Sequence, residues 1–246
     1  MTAHPPPRPL RIGPLALGDV ARIAVPFDDG VTEAALAALR ARGLDVAELR
    51  IDHFAARDPA AVRRVLARCA GVPTLATIRI AAEGGGWQAG EAERTRLFLA
   101  LLDAVDAVDV ELAAGEVLRE VLPAARARGR LVIASHHDFA ATPAPPVLAD
   151  VVARALDAGA DVVKIAATAR GAADVRALAG VLLEPAPIGR IVIGMGEAAL
   201  ATRVLFPALG SLLTYAHAGR ATAPGQLPLD ELVALLRRLG LRPGSP

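Results

Sequence analysis

Asp161-Val162-Val163-Lys164-Ile165-Ala166 is a short apolar, β-branched run, followed after a polar break by Ala172–Leu183, whose apolar residues recur with helical spacing. In an extended chain Val162, Lys164 and Ala166 share one face while Val163 and Ile165 share the other. Both faces are apolar apart from one ammonium. That is the pattern of a parallel strand covered by helices on one side and buried on the other. Lys164 is the single lysine of 246 residues, and every other member of the 27 Lys+Arg set is arginine. Arginine stays charged at ordinary pH, whereas a buried lysine can lose its proton and act as a nucleophile.

Working outward from this unit, the same alternation repeats along the chain. Arg22–Pro26 and Thr32–Arg42 form the first strand and helix, with Thr32 as N-cap and Gly43 just past the end. Val46–Asp52 and Pro59–Ala70 form the second pair, and Thr74–Ile80 and Glu91–Asp103 the third. Ala107–Leu112 with Glu116–Arg128 and Leu131–Ser135 with Val147–Ala158 are the fourth and fifth. Past the sixth, Arg190–Gly194 with Glu197–Leu209 and Ser211–Ala216 with Leu229–Leu239 complete eight. Eight short strands alternating with eight helices predict an α/β fold, a single (β/α)8 TIM barrel. A doubly wound open sheet would need a Gly-rich phosphate turn after an early strand, and Asp28-Asp29-Gly30 is not one. The expected organisation is a Pro-rich N-terminus with a hairpin or cap at Leu10–Gly18 (1–21), one barrel (22–240) and a short C-terminal tail (241–246).

Composition supports this and excludes other classes. The 54% apolar content can fill a sizeable core, and with 3% aromatic residues that core is Ala, Leu and Val. A formal net charge of +1 gives no electrostatic case for nucleic acid or membrane binding. Cys69 is alone, which rules out an intrachain disulfide or a cysteine metal cluster and is read as a small buried residue. Met1–Pro9 has no apolar core of a signal peptide, and no run is long enough for a membrane span, so the cytoplasm is expected.

A barrel places its chemistry at the C-terminal ends of the strands. The polar residues cluster there. Glu48 and Arg50 share a face at the end of the second strand, and Thr77 and Arg79 at the third. Asp109 and Glu111 end the fourth, Ser135-His136-His137-Asp138 follow the fifth, and Lys164 lies in the sixth. Inward charges are costly unless paired or used, so five consecutive polar ends predict a catalytic mouth. Desolvation and neighbouring arginines are expected to lower the pKa of Lys164 and favour free amine, which attacks a ketone to form an imine. The protonated imine acidifies the adjacent carbon, and a histidine is suited to take that proton. His137 keeps the parity of Leu131, Ile133 and Ser135, but the pattern alone does not choose between it and His136. Adjacent histidines rarely serve one metal ion, and no third histidine has helpful spacing. Arg50, Arg79 and Arg203 would suit a carboxylate-bearing substrate.

These residues carry a resemblance. From Arg22 onward the chain resembles the type I 3-dehydroquinate dehydratases, the Schiff-base class of the shikimate pathway. The matching pieces are Glu48-Leu49-Arg50-Ile51-Asp52-His53, Thr77-Ile78-Arg79 with Glu83-Gly84-Gly85, and Asp109-Val110-Glu111-Leu112. Ser135-His136-His137-Asp138-Phe139 with Thr142-Pro143, Lys164-Ile165-Ala166 and Ala223-Pro224-Gly225-Gln226 complete the set. The resemblance implies that Lys164 forms the imine and that His137, rather than His136, is general base and acid. It implies that Glu83 holds the imidazole and that Glu48, Arg50, Arg79, Arg203, Thr222 and Gln226 bind substrate, Arg203 taking the carboxylate. Arg220–Gln226 would be a lid. The implied reaction converts 3-dehydroquinate to 3-dehydroshikimate with no metal and no organic cofactor, in a homodimer. The alternatives are another Schiff-base barrel aldolase or lyase, and a non-catalytic metabolite-binding barrel.

The chain departs from the family's pattern at Thr222 (usually Ser), Pro26 (often Ser), Val163 (commonly Pro), Ala167-Thr168 (often Met-Pro) and Ile193 (commonly Met). These changes are expected at the wall and roof of the site, away from the Lys–His pair. His53 is expected to be a structural loop residue and Trp87 a loop anchor. Glu111 is expected to hydrogen-bond inside the barrel, stabilise an imine or pair with an arginine. His217 has no assigned role.

Overall fold

The computed structural model describes residues 9–243. The Pro-rich start up to Pro7-Arg8 and the last three residues of the tail lie outside that range. Eight parallel strands run β1 (Arg22–Phe27), β2 (Val46–Arg50), β3 (Thr74–Thr77), β4 (Ala107–Glu111), β5 (Leu131–Asp138), β6 (Val162–Thr168), β7 (Gly189–Met195) and β8 (Leu213–His217). Helices α1 (Glu33–Ala41), α2 (Pro59–Arg68), α3 (Glu91–Leu101), α4 (Gly115–Ala127), α5 (Pro145–Asp157), α6 (Ala172–Leu183), α7 (Thr202–Ala208) and α8 (Leu229–Arg238) follow them in turn. The sheet is continuous from β8 through β1 to β7, and a ninth, two-residue strand, Leu227–Pro228, pairs parallel with the end of β8. It closes between β7 and β8, where the Leu212 N–H donates to Arg190 O at 2.9 Å and the Ser211 hydroxyl accepts from the Val192 N–H at 3.0 Å. The fold is the expected (β/α)8 barrel.

Two apolar clusters follow from strand parity. Val46, Leu75, Ile133, Val162, Ala166 and Ile191 pack with one another inside the barrel. Their alternates, including Leu49, Ala76, Val110, Val163, Ile165 and Val192, pack outward against the helices. Lys164 therefore points inward with Val162 and Ala166, because a strand's faces alternate strictly. The N-terminal segment forms a two-stranded hairpin, Arg11–Ile12 with Leu15–Ala16. Fully buried Ile12 seats it on the interior cluster beside Leu10, Leu17 and Leu212. Thr32 caps α1 by accepting from the Ala35 N–H at 3.2 Å, and Gly43 beyond it adopts φ +114°.

Element ends differ from the sequence expectation where side chains redirect the backbone. Strand β2 stops at Arg50, and Ile51–His53 turns as a 3-10 helix. There Asp52 folds back to accept from the Arg50 guanidinium and from the Gly86 N–H at 3.0 Å. Strand β3 stops at Thr77, and β5 runs on through Asp138. The expected seventh helix divides into a 3-10 turn, Glu197–Ala199, and α7, with the Thr202 hydroxyl donating to Ala199 O at 2.6 Å between them.

Candidate active site

Lys164 sits midway along β6, opposite Ser135 of β5 and Ile191 of β7, and is 4% exposed. Its Nζ lies 2.9 Å from Asp109 Oδ2, 3.6 Å from Glu48 Oε1 and 4.6 Å from the centre of the Tyr215 ring. This corrects the expected free amine. Burial lowers the lysine's affinity for a proton, but Asp109, Tyr215 and Glu48 together raise its pKa well above the ordinary value. The magnitudes explain the outcome. A contact near 3 Å is worth about 5 kcal/mol at an effective dielectric of about 20. Desolvation costs several kcal/mol per ion, and Lys164 has a second carboxylate and an aromatic face besides. At rest it is an ammonium, and Asp109 is held as a carboxylate against its own burial by Arg79 and Lys164.

The extension of β5 resolves the histidine parity. His137 registers with Ala166 and His136 with Ile165, so His137 faces the interior and His136 the outside. Glu83 Oε2 accepts from the His137 backbone N–H at 3.0 Å and lies 2.9 Å from its Nδ1. With the Nδ1 proton engaged there, the Nε2 lone pair is left for the cavity that His137 borders. Burial and the charges of Arg79 and Lys164 hold the imidazole pKa well below the usual value, so it is neutral. Burial pushes the Glu83 carboxyl up to about 7; Arg79 opposes this and Glu111 and Asp109 add to it. Glu83 reaches the histidine because the chain turns sharply after it. Gly84 adopts φ +78°, and a Cβ on Gly85 would lie 2.1 Å from Arg79 O.

The expected arginines fall into different environments. Arg79 donates to Asp109 Oδ1 and to the Ser135 hydroxyl, both at 2.7 Å, and lies 3.1 Å from Glu111. Arg50 forks onto Asp52 at 2.7 and 3.0 Å, and touches His53 Nε2 at 2.9 Å. Glu48 and Arg50 share a face but do not pair; Glu48 instead accepts from the Thr77 hydroxyl at 2.9 Å and faces Lys164. Arg203, at the start of α7, is 2% exposed and has no carboxylate partner among the described residues. Its Nη2 donates to Pro224 O at 3.1 Å, its Nε has no partner, and burial brings its pKa down to about 10. A buried guanidinium without a counter-ion is a site for an anion to enter. The Arg220–Gln226 segment lies over it. There Gln226 Oε1 accepts from the Thr222 N–H at 2.7 Å, and the Gly196 N–H donates to Pro224 O at 3.3 Å.

Lys164, His137, Glu83, Glu48, Arg50, Arg79, Arg203, Thr222 and Gln226 all border one cavity of about 100 Å³ at the C-terminal mouth of the barrel. Sequence reasoning missed Tyr215, whose ring faces Lys164 Nζ and whose buried hydroxyl has no hydrogen-bond partner among the described residues. The alternation Leu213-Tyr215-His217 on the eighth strand carries the signal that would have found it. It also left Asp109 without its role as the lysine's counter-ion. Of the departures from the family pattern, only Thr222 and Ile193 border the cavity; Val163 and Ala167 pack outward against the helices, contrary to the expected place in the wall. Glu111 takes the pairing alternative, with Arg94 and Arg79. Trp87 is buried under Arg57, and Cys69 is a buried free thiol with its pKa pushed up to about 11 by burial.

Comparison with known proteins shows what the chain as a whole is similar to. The model of the type I 3-dehydroquinase family matches residues 19–243. A 3-dehydroquinate dehydratase of Methanosarcina acetivorans is 40% identical over 209 residues, covering 80% of this chain and 86% of that relative. Among solved structures, the 3-dehydroquinate dehydratase of Geobacillus kaustophilus superposes with a TM-score of 0.88 at 28% identity, over 97% of this chain and 99% of its own. The type I enzyme of Clostridium difficile, solved with covalently modified comenic acid, gives 0.85 at 29% identity over 93% and 96%.

Proposed function

The chain belongs to the type I 3-dehydroquinase family, and on that premise we propose that it dehydrates 3-dehydroquinate to 3-dehydroshikimate through a protonated imine on Lys164. The observation that carries this reading is the placement of the only lysine on the inner face of β6, with neutral His137 facing inward from the adjacent strand. His137 Nε2 accepts a proton from the Lys164 ammonium, and the amine attacks the ketone carbon. The amine's surplus proton moves to the former ketone oxygen to give a neutral carbinolamine. Its hydroxyl takes the proton held by His137 and leaves as water, giving a C=N bond that retains a positive charge at Nζ and restoring neutral His137. Asp109 and Glu48, which hold the ammonium at rest, hold that charge equally. The site is thus complementary to the iminium rather than to a free amine. His137 then removes the proton alpha to the imine carbon and returns it to the departing hydroxyl, and water releases the product from Lys164. The test is the appearance of the conjugated enone when 3-dehydroquinate is added; its absence would refute the proposal. The reading includes a homodimer in the cytoplasm, both supported by family resemblance; no helix among the described residues is long and apolar enough to cross a membrane.

Arg203 holds the substrate carboxylate in this scheme. Arg203→Ala is expected to raise KM by about 10- to 100-fold, the worth of a charge-assisted hydrogen bond, with a smaller loss in kcat. Steady-state kinetics check it, and an unchanged KM would move the carboxylate elsewhere.

The Glu83 carboxyl, raised to about 7, sets the acid limb. Above that pH it is ionised and accepts the Nδ1 proton, leaving Nε2 as a base. Below it, protonated Glu83 donates to Nδ1, which moves the imidazole proton to Nε2 and removes the base. The kcat/KM profile is therefore expected to fall as pH drops through about 7. In Glu83→Gln that limb should disappear, because the amide does not titrate, while the maximum rate declines.

A further inference from the structure

Arg94 lies on α3, outside the barrel wall, and borders no part of the catalytic cavity. Yet it is fully buried, the largest such side chain among the described residues. A guanidinium so placed is costly unless its partners are ionic. Its Nη1 lies 2.5 Å from Glu111 Oε2 and donates to Ile78 O at 3.0 Å, and its Nη2 lies 2.6 Å from Glu91. The other oxygen of Glu111 has two partners: Arg79 at 3.1 Å and the Ile80 N–H at 2.9 Å. From Arg79 the contacts continue to Asp109, and from Asp109 to Lys164. From Ile80 they continue along the backbone, since Ile80 O accepts from the Glu83 N–H at 3.1 Å, and Glu83 grips His137. Charges alternate in sign from Arg94 through Glu111, Arg79 and Asp109 to Lys164. Both catalytic arms branch from a single carboxylate, and that carboxylate is balanced from outside the barrel.

We infer that Arg94 is a positioning residue for the reaction: through Glu111 it holds Arg79 against Asp109–Lys164 and holds the Ile80–Glu83 turn against His137. Without it Arg79, which already bridges Asp109 and Glu111, is the one cation left beside Glu111. Its hold on Asp109 weakens as it is drawn toward Glu111, and the negative charge near Glu83 rises. The groups that face Glu83 are Arg79 beyond β3, Asp109 and Glu111 of β4 and His137 of β5. Only the balance of Glu111 changes among them. A helix clamp with no link to the site would leave Glu83 untouched.

This inference rests on the dehydratase reading, so its test includes a measurement that needs no turnover. The 15N shifts of the His137 ring, assigned by their loss in His137→Ala, are followed against pH in the unliganded protein, together with the kcat/KM profile. In Arg94→Met both the shift transition and the acid limb are expected to move to higher pH by at least about half a unit, the scale of a lost buried charge. The plateau of kcat/KM should fall by about tenfold, a coupling typical of one network. The double variant Arg94→Met/Glu111→Gln, which restores the balance and keeps an acceptor for Arg79 and Ile80, should return the transition toward its original position. Arg94→Lys keeps the charge without the fork, and should shift the transition less than Arg94→Met. If Arg94→Met does not fold, Arg94→Lys and the double variant are compared with the parent: a lower plateau in Arg94→Lys with a nearly unmoved transition in the double variant supports the inference. A folded Arg94→Met with parental transition and plateau overturns it, as does a double variant shifted as far as the single, or an Arg94→Lys identical to the parent when Arg94→Met is unfolded. Absence of turnover in the parent would count against the dehydratase reading, while the His137 titration would still decide the role of Arg94.

Discussion

Mixed with 3-dehydroquinate and borohydride, the protein is expected to gain the mass of one reduced substrate adduct, which peptide mapping should place on Lys164. The chain has one lysine, so a single side-chain amine is available for an imine. Burial between Asp109, Glu48 and Tyr215 would keep such an imine cationic, the form that borohydride reduces and that acidifies the adjacent carbon. Lys164→Ala should give no adduct and lower kcat/KM by about ten-thousand-fold or more, as expected when a covalent route is removed. Removing one ion of a buried pair is destabilising, but the variant should stay folded because Asp109 retains Arg79 as its counter-ion. Enone formation without any trapped adduct would sink the covalent mechanism while leaving the family assignment intact. An adduct that persists in Lys164→Ala would show that the trapped amine is not the one described.

The second large effect concerns His137. His137→Ala should still accumulate the adduct, more slowly, while dehydration falls by about a thousandfold, within the range for a lost general base. The separation follows from geometry: Lys164 keeps both carboxylates when the imidazole is removed, but no other neutral base borders the cavity. His136→Ala should change kcat/KM by only a few-fold, about the scale of a neutral surface substitution, since His136 faces away from the barrel interior. Mass spectrometry with borohydride measures imine formation, and enone absorbance measures the dehydration. Were His136→Ala the more damaging change, the base would be misassigned.

Much of the site was legible in the sequence because a strand's parity is fixed by its covalent geometry. Val162-Val163-Lys164-Ile165-Ala166 puts Lys164 on the face of Val162 and Ala166 whatever surrounds it, and an ammonium aligned with the polar strand ends belongs at the barrel mouth rather than under the helices. The polar strand ends at Glu48, Arg79, Asp109 and His137 could be placed at one mouth for the same reason, as parallel strands all end on the same side. Pairing was not legible. Arg50 chose Asp52, two residues away on a turn, over Glu48 on its own face, because the chain leaves the strand at Ile51 and brings the Asp52 carboxylate round. Glu83 is separated from His137 by 54 positions, and their contact depends on a two-glycine turn packed against the Arg79 backbone.

The sequence by itself determined the alternation of eight strands with eight helices, hence the barrel, and it determined that its one lysine shares a strand face with Val162 and Ala166. Those are consequences of local periodicity. Only the tertiary structure decided the protonation states. The sequence places arginines and apolar residues near Lys164 and suggests free amine, yet Asp109 from β4 and Glu48 from β2 converge on Nζ within 3.6 Å and hold an ammonium instead. Charge on a buried group is set by distances across the barrel, to which neighbours along the chain contribute little. The same holds for Arg94, an unremarked helix residue in sequence, which folding brings into line with Glu111, Arg79, Asp109 and Lys164.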